Sequence, residues 1–153
     1  MAATDQPDAR PVYSVVGDRY VYLVTGRETA GACFVCEAFV PPGGGTPPHV
    51  HSREDELFYV VEGEFEFVVA GSPVRRTAGG SIFATRGIPH FFRNVGPGPG
   101  KMIITVTPAG LEDFFREFGR ELDGPAAAPL PPDDDEIRKL LAAAPKYGIE
   151  ILG

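Results

Sequence analysis

From residue 12 to residue 107 the chain alternates short apolar runs with breaks rich in glycine and proline. The runs fall at residues 12–16, 20–25, 32–40, 57–62, 64–70, 81–84, 90–94 and 101–107. Valine, phenylalanine and tyrosine dominate them, and these side chains suit a pleated, half-buried surface, so each run reads as a β-strand. The breaks GDR, PPGGGTPP, EGE, AGSP, AGG and GPGPG supply the turns. Many short strands at this spacing, with no βαβ alternation and no fixed-period repeat, predict an all-β sandwich, barrel or jelly roll.

Beyond Pro108 the period changes. In LEDFFREFGREL the residues Leu111, Phe114, Phe115, Phe118 and Leu122 fall on one helical face, with Thr107-Pro108 as the entry. This predicts an amphipathic helix packed on the sheet, its phenylalanines serving as buried packing. DGPAAAPLPPDD predicts an extended, polyproline-type linker. DDDEIRKLLAAA predicts a second short helix whose opening acids, Asp133 to Glu136, complement the positive end of its dipole and face water. Pro145 and Gly148 end that helix before an apolar tail, 149–152. The organisation read from these changes is an N-terminal arm at 1–11, a β domain at 12–107 and a helical extension at 108–153.

At 153 residues the chain is long enough for one domain with a real core. A net charge of −7 leaves no basic surplus to displace counterions from phosphates, which argues against nucleic acid and anionic membranes and favours a small-molecule partner. No apolar run has the length of a membrane span, and the first residues lack a secretory core, so a cytoplasmic protein is expected. Cys33 and Cys36 form a CxxC, but on a strand positions three apart face opposite sides at a Cα separation of roughly 10 Å, too far for a disulfide. Two free thiols are expected.

Candidate chemistry concentrates in HVHSREDE, residues 49–56, which holds two of the three histidines. His49 and His51 are two apart in an extended segment, so their imidazoles project from one face, as shared coordination of an ion requires. Glu54, Asp55 and Glu56 offer carboxylates. Glu56 opens the next strand, where its position is fixed, whereas Glu54 and Asp55 belong to the turn and are expected to face water. His90 opens HFFRN and can join the pair only if the fold brings its strand across. Phe58 and Phe92 share strand parity with Glu56 and His90, so both should point inward and could line an apolar substrate pocket. Arg86 is expected to be solvated in its turn, and Asn94 to organise a strand end.

These residues carry a resemblance to a known family. Gly43, His49, His51, Glu56 and Gly63 have the spacing of the first signature motif of the cupin superfamily. Gly79, Gly87, His90 and Asn94 are similar to the second, with Thr85 where the family usually has proline. The C-terminal stretches VTPAGLEDFFREFG and KYGIEILG resemble those of small single-domain quercetin dioxygenase-like cupins. The resemblance implies an antiparallel jelly-roll (double-stranded β-helix) barrel with a short C-terminal helical extension, and a homodimer. It implies one divalent transition metal ion held by His49, His51, Glu56 and His90. Nitrogen and oxygen donors do not choose between iron, manganese, nickel, cobalt, copper and zinc. In the flavonol dioxygenases of the family the matching glutamate also takes a proton from the substrate, which makes Glu56 the candidate catalytic residue; a ligand-only role stays open. The function this implies is a dioxygenase-type oxidoreductase acting on a small aromatic or enolisable compound. The alternatives are a non-oxidative metal-dependent isomerase, cyclase or lyase, and a non-catalytic small-molecule binder.

Overall fold

The computed structural model describes residues 10–153, so most of the expected N-terminal arm lies outside the described residues. Two antiparallel sheets face each other. The larger has seven strands in the order β11-β1-β2-β3-β10-β5-β8, and the smaller has five in the order β12-β4-β9-β6-β7. In chain order the strands are β1 Val12–Val15, β2 Asp18–Val24, β3 Phe34–Val40, β4 His49–His51, β5 Asp55–Glu62, β6 Glu64–Val69, β7 Ser72–Thr77, β8 Ser81–Ala84, β9 His90–Asn94, β10 Gly100–Thr107, β11 Arg120–Glu121 and β12 Ile149–Ile151. The helices are α1 Gly26–Thr29, α2 Leu111–Phe118 and α3 Asp134–Ala143, the last followed by a 3-10 turn at Ala144–Tyr147. This is the expected all-β jelly roll with a small helical extension.

Period-two alternation builds the core between the sheets. On β3 the inward residues are Phe34, Cys36, Ala38 and Val40, on β10 Met102, Ile104 and Val106, and on β6 Phe65 and Phe67, all buried. Phe58, Phe65, Phe67 and Phe92 contact one another with ring centroids 5.4–6.3 Å apart in tilted and edge arrangements, the geometry that aromatic quadrupoles favour. Phe58 and Phe92 thus point inward, as their parity requires. Burying each ring fully contributes about 2 kcal/mol.

Two of the motif residues shape turns. Gly63 joins β5 to β6 at φ +92°, and a Cβ there would lie 2.9 Å from the Gly100 backbone, so both conformation and space call for glycine. Asn94 ties a strand end to its neighbours: its Nδ2 donates to the Val40 and Gly98 carbonyls at 2.9 Å, and its Oδ1 accepts from Gly96 N–H. Both cysteines are free; Cys36 is buried on β3, while Cys33 precedes the strand and is partly exposed.

Several expectations fail for identifiable reasons. The helix α2 stops at Phe118 and does not reach Leu122. Gly119 turns extended there and passes so close to the Phe115 and Ser14 carbonyls that a Cβ would lie 2.6 and 3.1 Å from them, after which Arg120 and Glu121 pair with β1. Ser72–Thr77 is a strand, although it carries few apolar residues. It is the outer strand of the smaller sheet, mostly exposed, and its Pro73 and two arginines suit an edge. Glu136, expected in water, is 2% exposed, its nearest cation Arg120 at 3.7 Å. The proline-rich linker is tied to the barrel: Ser14 Oγ accepts from Leu130 N–H, and Arg19 donates to the Ala127 carbonyl. The apolar tail is also a strand, β12, paired with β4 in the register Ile149↔His51 and Ile151↔His49.

Candidate metal centre

The fold brings His49, His51, Glu56 and His90 together from three strands in two sheets. His49 and His90 sit opposite one another in the β4–β9 ladder. His51 is one same-face step further along β4, and Glu56 reaches in from β5 of the larger sheet. All four are buried, and one ligand atom from each lies within 4.8 Å of the others. Two donors on one ion at about 2.1 Å are at most about 4.2 Å apart, so small inward movements close the set.

Each imidazole is oriented by its outer nitrogen. His49 Nδ1 is 2.7 Å from the Pro47 carbonyl, His90 Nδ1 is 3.0 Å from the Ile88 carbonyl, and His51 Nδ1 is 3.1 Å from Glu54 Oε2. An acceptor at Nδ1 places the proton there and turns the Nε2 lone pair inward, the tautomer a metal ligand needs. The local sequence explains two of these contacts. His49 and His90 each follow a proline, Pro48 and Pro89, which holds the preceding residue extended, and in both cases the carbonyl two residues back receives the ring N–H.

The third contact corrects an expectation. Glu54 does not face water: it is 4% exposed and folds back on its own turn to hold His51. Ser52 N–H donates to the Gly148 carbonyl at 2.9 Å, pinning the turn that makes this possible. Asp55 opens β5 and pairs with Arg86, whose Nη2 is 3.1 Å from its Oδ2. Arg86 therefore has a fixed partner.

Electrostatics within the set are those of one charge cluster. Burial pushes the His49 imidazole down to about 4, with the positive side of its histidine neighbours adding and Glu56 opposing. Burial also acts against a charged His51, but the Glu56 charge and the Glu54 hydrogen bond outweigh it and raise the imidazole above its ordinary value. Burial alone would lift Glu56; the positive charge of His51 and the hydrogen bond and charge of His90 hold it near 2 instead. Glu56 Oε2 is 2.7 Å from His90 Nε2, and Oε1 is 3.4 Å from His51 Nε2. A carboxylate and inward-facing imidazole nitrogens this close need a cation between them, whether a proton or a metal ion. The donor set fits a divalent transition ion.

Residues 37–106 match the family model described as a cupin domain. The barrel is a cupin domain. The chain is 27% identical over 120 residues to the tetracenomycin polyketide synthase protein TcmJ of Streptomyces glaucescens, covering 78% of this chain and 80% of that one. It is 34% identical over 104 residues to oxalate oxidase GF-3.8 of Triticum aestivum, covering 61% of this chain and 45% of that one. The chain spans about half the length of several plant relatives it matches. Among solved structures, an RmlC-like cupin from Shewanella frigidimarina superposes with a TM-score of 0.61 at 26% identity, covering 74% of this chain and 96% of that one.

The cupin centre opens onto an apolar cavity of about 70 Å³. Phe58 and Phe92 line it together with His49, His51 and Glu56, and α2 adds Leu111, Phe114, Phe115 and Phe118. The α2 phenylalanines are buried packing, as expected, and also a wall of this cavity. Among the described residues, no lysine or arginine lines it. Among the described residues, no helix is long and apolar enough to cross a membrane.

Two outcomes follow for the centre. Glu54→Ala removes the acceptor that orients His51 and should weaken metal binding about 10- to 100-fold, with Glu54→Gln recovering part of the loss; competition against a chromophoric chelator measures both, and equal affinity in all three proteins would contradict the assignment. The second concerns acid. Neutral His49 is favoured by the fold, so its stabilisation is present above about 6.5 and is lost as pH falls through about 4. Protons compete with the ion over the same range. The metal-stripped protein should lose melting temperature between pH 6.5 and 4, and the loaded protein should yield its ion to EDTA progressively faster, as read by calorimetry and elemental analysis after dialysis.

Proposed function

We propose that this cupin is a metal-dependent oxidoreductase of the dioxygenase type, acting on a small enolisable or aromatic compound. The observation that carries the reading is the pairing of a three-histidine, one-carboxylate centre with a cavity that is apolar on nearly every other side. His49, His51, Glu56 and His90 would hold a divalent ion, which would supply Lewis-acid and redox chemistry at this end of the cavity. The chain's own groups do the rest. The phenylalanine walls exclude water and hold the hydrocarbon part of the substrate. Glu56 accepts the substrate's enol or phenol proton at Oε1, the oxygen less engaged by the histidines. The resemblance of the motifs and the C-terminal stretches to quercetin dioxygenase-like cupins supports the finer part of the reading.

The cavity also bears on the substrate. A compact dianion such as oxalate would need cations beyond the metal ion, and none lines the walls among the described residues. A single benzene ring occupies a cavity of about 150 Å³, so an aromatic substrate requires the α2 phenylalanines to move. A short enolisable compound needs less displacement.

We also propose a homodimer. Leu57, Tyr59 and Val61 on β5 and Phe83 on β8 are 42–55% exposed on the outer face of the larger sheet, and Leu57 and Phe83 are direct register partners. A second copy placing the same uncharged strip against this one would cover it.

Protein purified without added metal should contain close to one transition ion per chain by elemental analysis, and should consume oxygen in step with a short diketone or a flavonol. Glu56→Gln should lower turnover at least 100-fold. Undiminished turnover under argon would replace the oxygenase with non-oxidative Lewis-acid chemistry, and ligand retention without turnover would leave a binding module. Light scattering should give the mass of two chains, and Phe83→Glu the mass of one; a monomeric wild-type protein would refute the dimer.

A further inference from the structure

We propose that Tyr20 is a substrate-anchoring residue of this pocket, its phenol donating a hydrogen bond to an oxygen of the bound compound. The inference deepens the proposed function and rests on it for one point: the cavity beside the four candidate ligands is where substrate sits.

Tyr20 lies on β2, is 3% exposed, and lines the same cavity as His49, His51 and Glu56. Its ring is held against Phe115 at 4.9 Å between centroids, and its register partner on β3 is the small Ala38. Tyr22, two residues on and also buried, shows what a tyrosine serving the fold does here: its hydroxyl donates to the Glu112 carbonyl at 2.8 Å. Among the described residues the Tyr20 hydroxyl has no such partner. Burial pushes this phenol well above its ordinary range, and nearby acidic groups, Glu56 among them, add to the effect, so it stays a donor.

Phenylalanine would fill the same volume, and the Tyr20 hydroxyl adds a donor that the packing does not use. The surrounding walls use phenylalanine repeatedly, at Phe58, Phe92, Phe114, Phe115 and Phe118. The one aromatic side chain of the cavity that carries a hydroxyl is therefore the exception to explain, and a ligand oxygen supplies the missing acceptor. Thr46 is the other hydroxyl on the walls; its Oγ1 accepts from Phe92 N–H at 3.4 Å, which ties it to the protein and leaves its own proton free to donate. The polar recognition available is then the metal centre and these two hydroxyls, of which Tyr20 is the one that makes no bond to the described residues, with hydrocarbon between and around them. This describes a short dioxygenated compound, a hydroxyketone or a diketone, and disfavours polyhydroxylated sugars.

The test compares wild-type and Tyr20→Phe protein loaded with cobalt(II), titrated by visible absorption with pentane-2,4-dione and, separately, with azide, which ligates the ion and offers no oxygen. The expected result is equal cobalt content and equal azide affinity, with the dione bound about tenfold more weakly by the variant. Equal dione affinity would overturn the role of Tyr20 and leave the metal centre standing. A parallel loss of azide and dione affinity would also overturn it, because that is the mark of a packing role. A wild-type protein that takes up no cobalt removes the centre and the anchor together.

Discussion

The structure turns on a constraint imposed by burying four polar side chains in an apolar interior. Imidazoles and a carboxylate withdrawn from water are tolerated only where their hydrogen-bonding capacity is met. Here the need is met from two directions: the outer nitrogen of each histidine has a protein acceptor, and the inner atoms face one another. The outer contacts decide the inner ones, since a proton fixed at Nδ1 leaves Nε2 as the only lone pair. The arrangement is thus poised for a cation before any ion arrives, and the shifts of His51 and Glu56 toward their charged forms express the same demand.

Much of this was legible along the chain. Alternation placed Glu56, Phe58, His90 and Phe92 on the inward face because a strand with one face in the core cannot slip by a residue without exposing its whole apolar set. The spacing of His49 and His51 predicted a shared face for the same reason. What could not be read were contacts made by segments distant in sequence or by a turn's curvature. Glu54 reads as a surface acid, being charged and flanked by charged residues; its burial depends on a turn pinned from Gly148, nearly a hundred positions later. The β12 strand has only three residues and an ordinary composition, and it exists because β4 offers an edge. Glu136 and the truncated α2 are of the same kind, since each follows from an approach between elements that local propensity does not encode. The prolines before His49 and His90 are plain in the sequence. Their effect, presenting a carbonyl two residues back to each ring, is seen only once the rings are in place.

The C-terminal extension joins the fold to the chemistry. The strand β12 covers the edge of the histidine strand, and α2 lays its phenylalanines over the end of the barrel where the four ligands meet. One segment therefore supports the metal strand and sets the size of the cavity beside it. The tethering of the linker to Ser14 and Arg19 holds that segment close to the barrel wall.

This separation of duties explains how a shared barrel can host different reactions. The ligand set is built from strands β4, β5 and β9, whose positions the jelly roll fixes, whereas about half of the apolar wall comes from α2, α3 and β12, outside the stretch that matches the family model. Relatives that keep the strands and change the extension would keep the ion and change the compound presented to it. In this chain the extension contributes hydrocarbon alone to the cavity, which leaves its polar groups to the barrel strands and their loops. A compound with charge or hydroxyls on its far side would lose its water and gain no partner from the extension in return, so under the proposed function this wall favours a compact, largely apolar substrate.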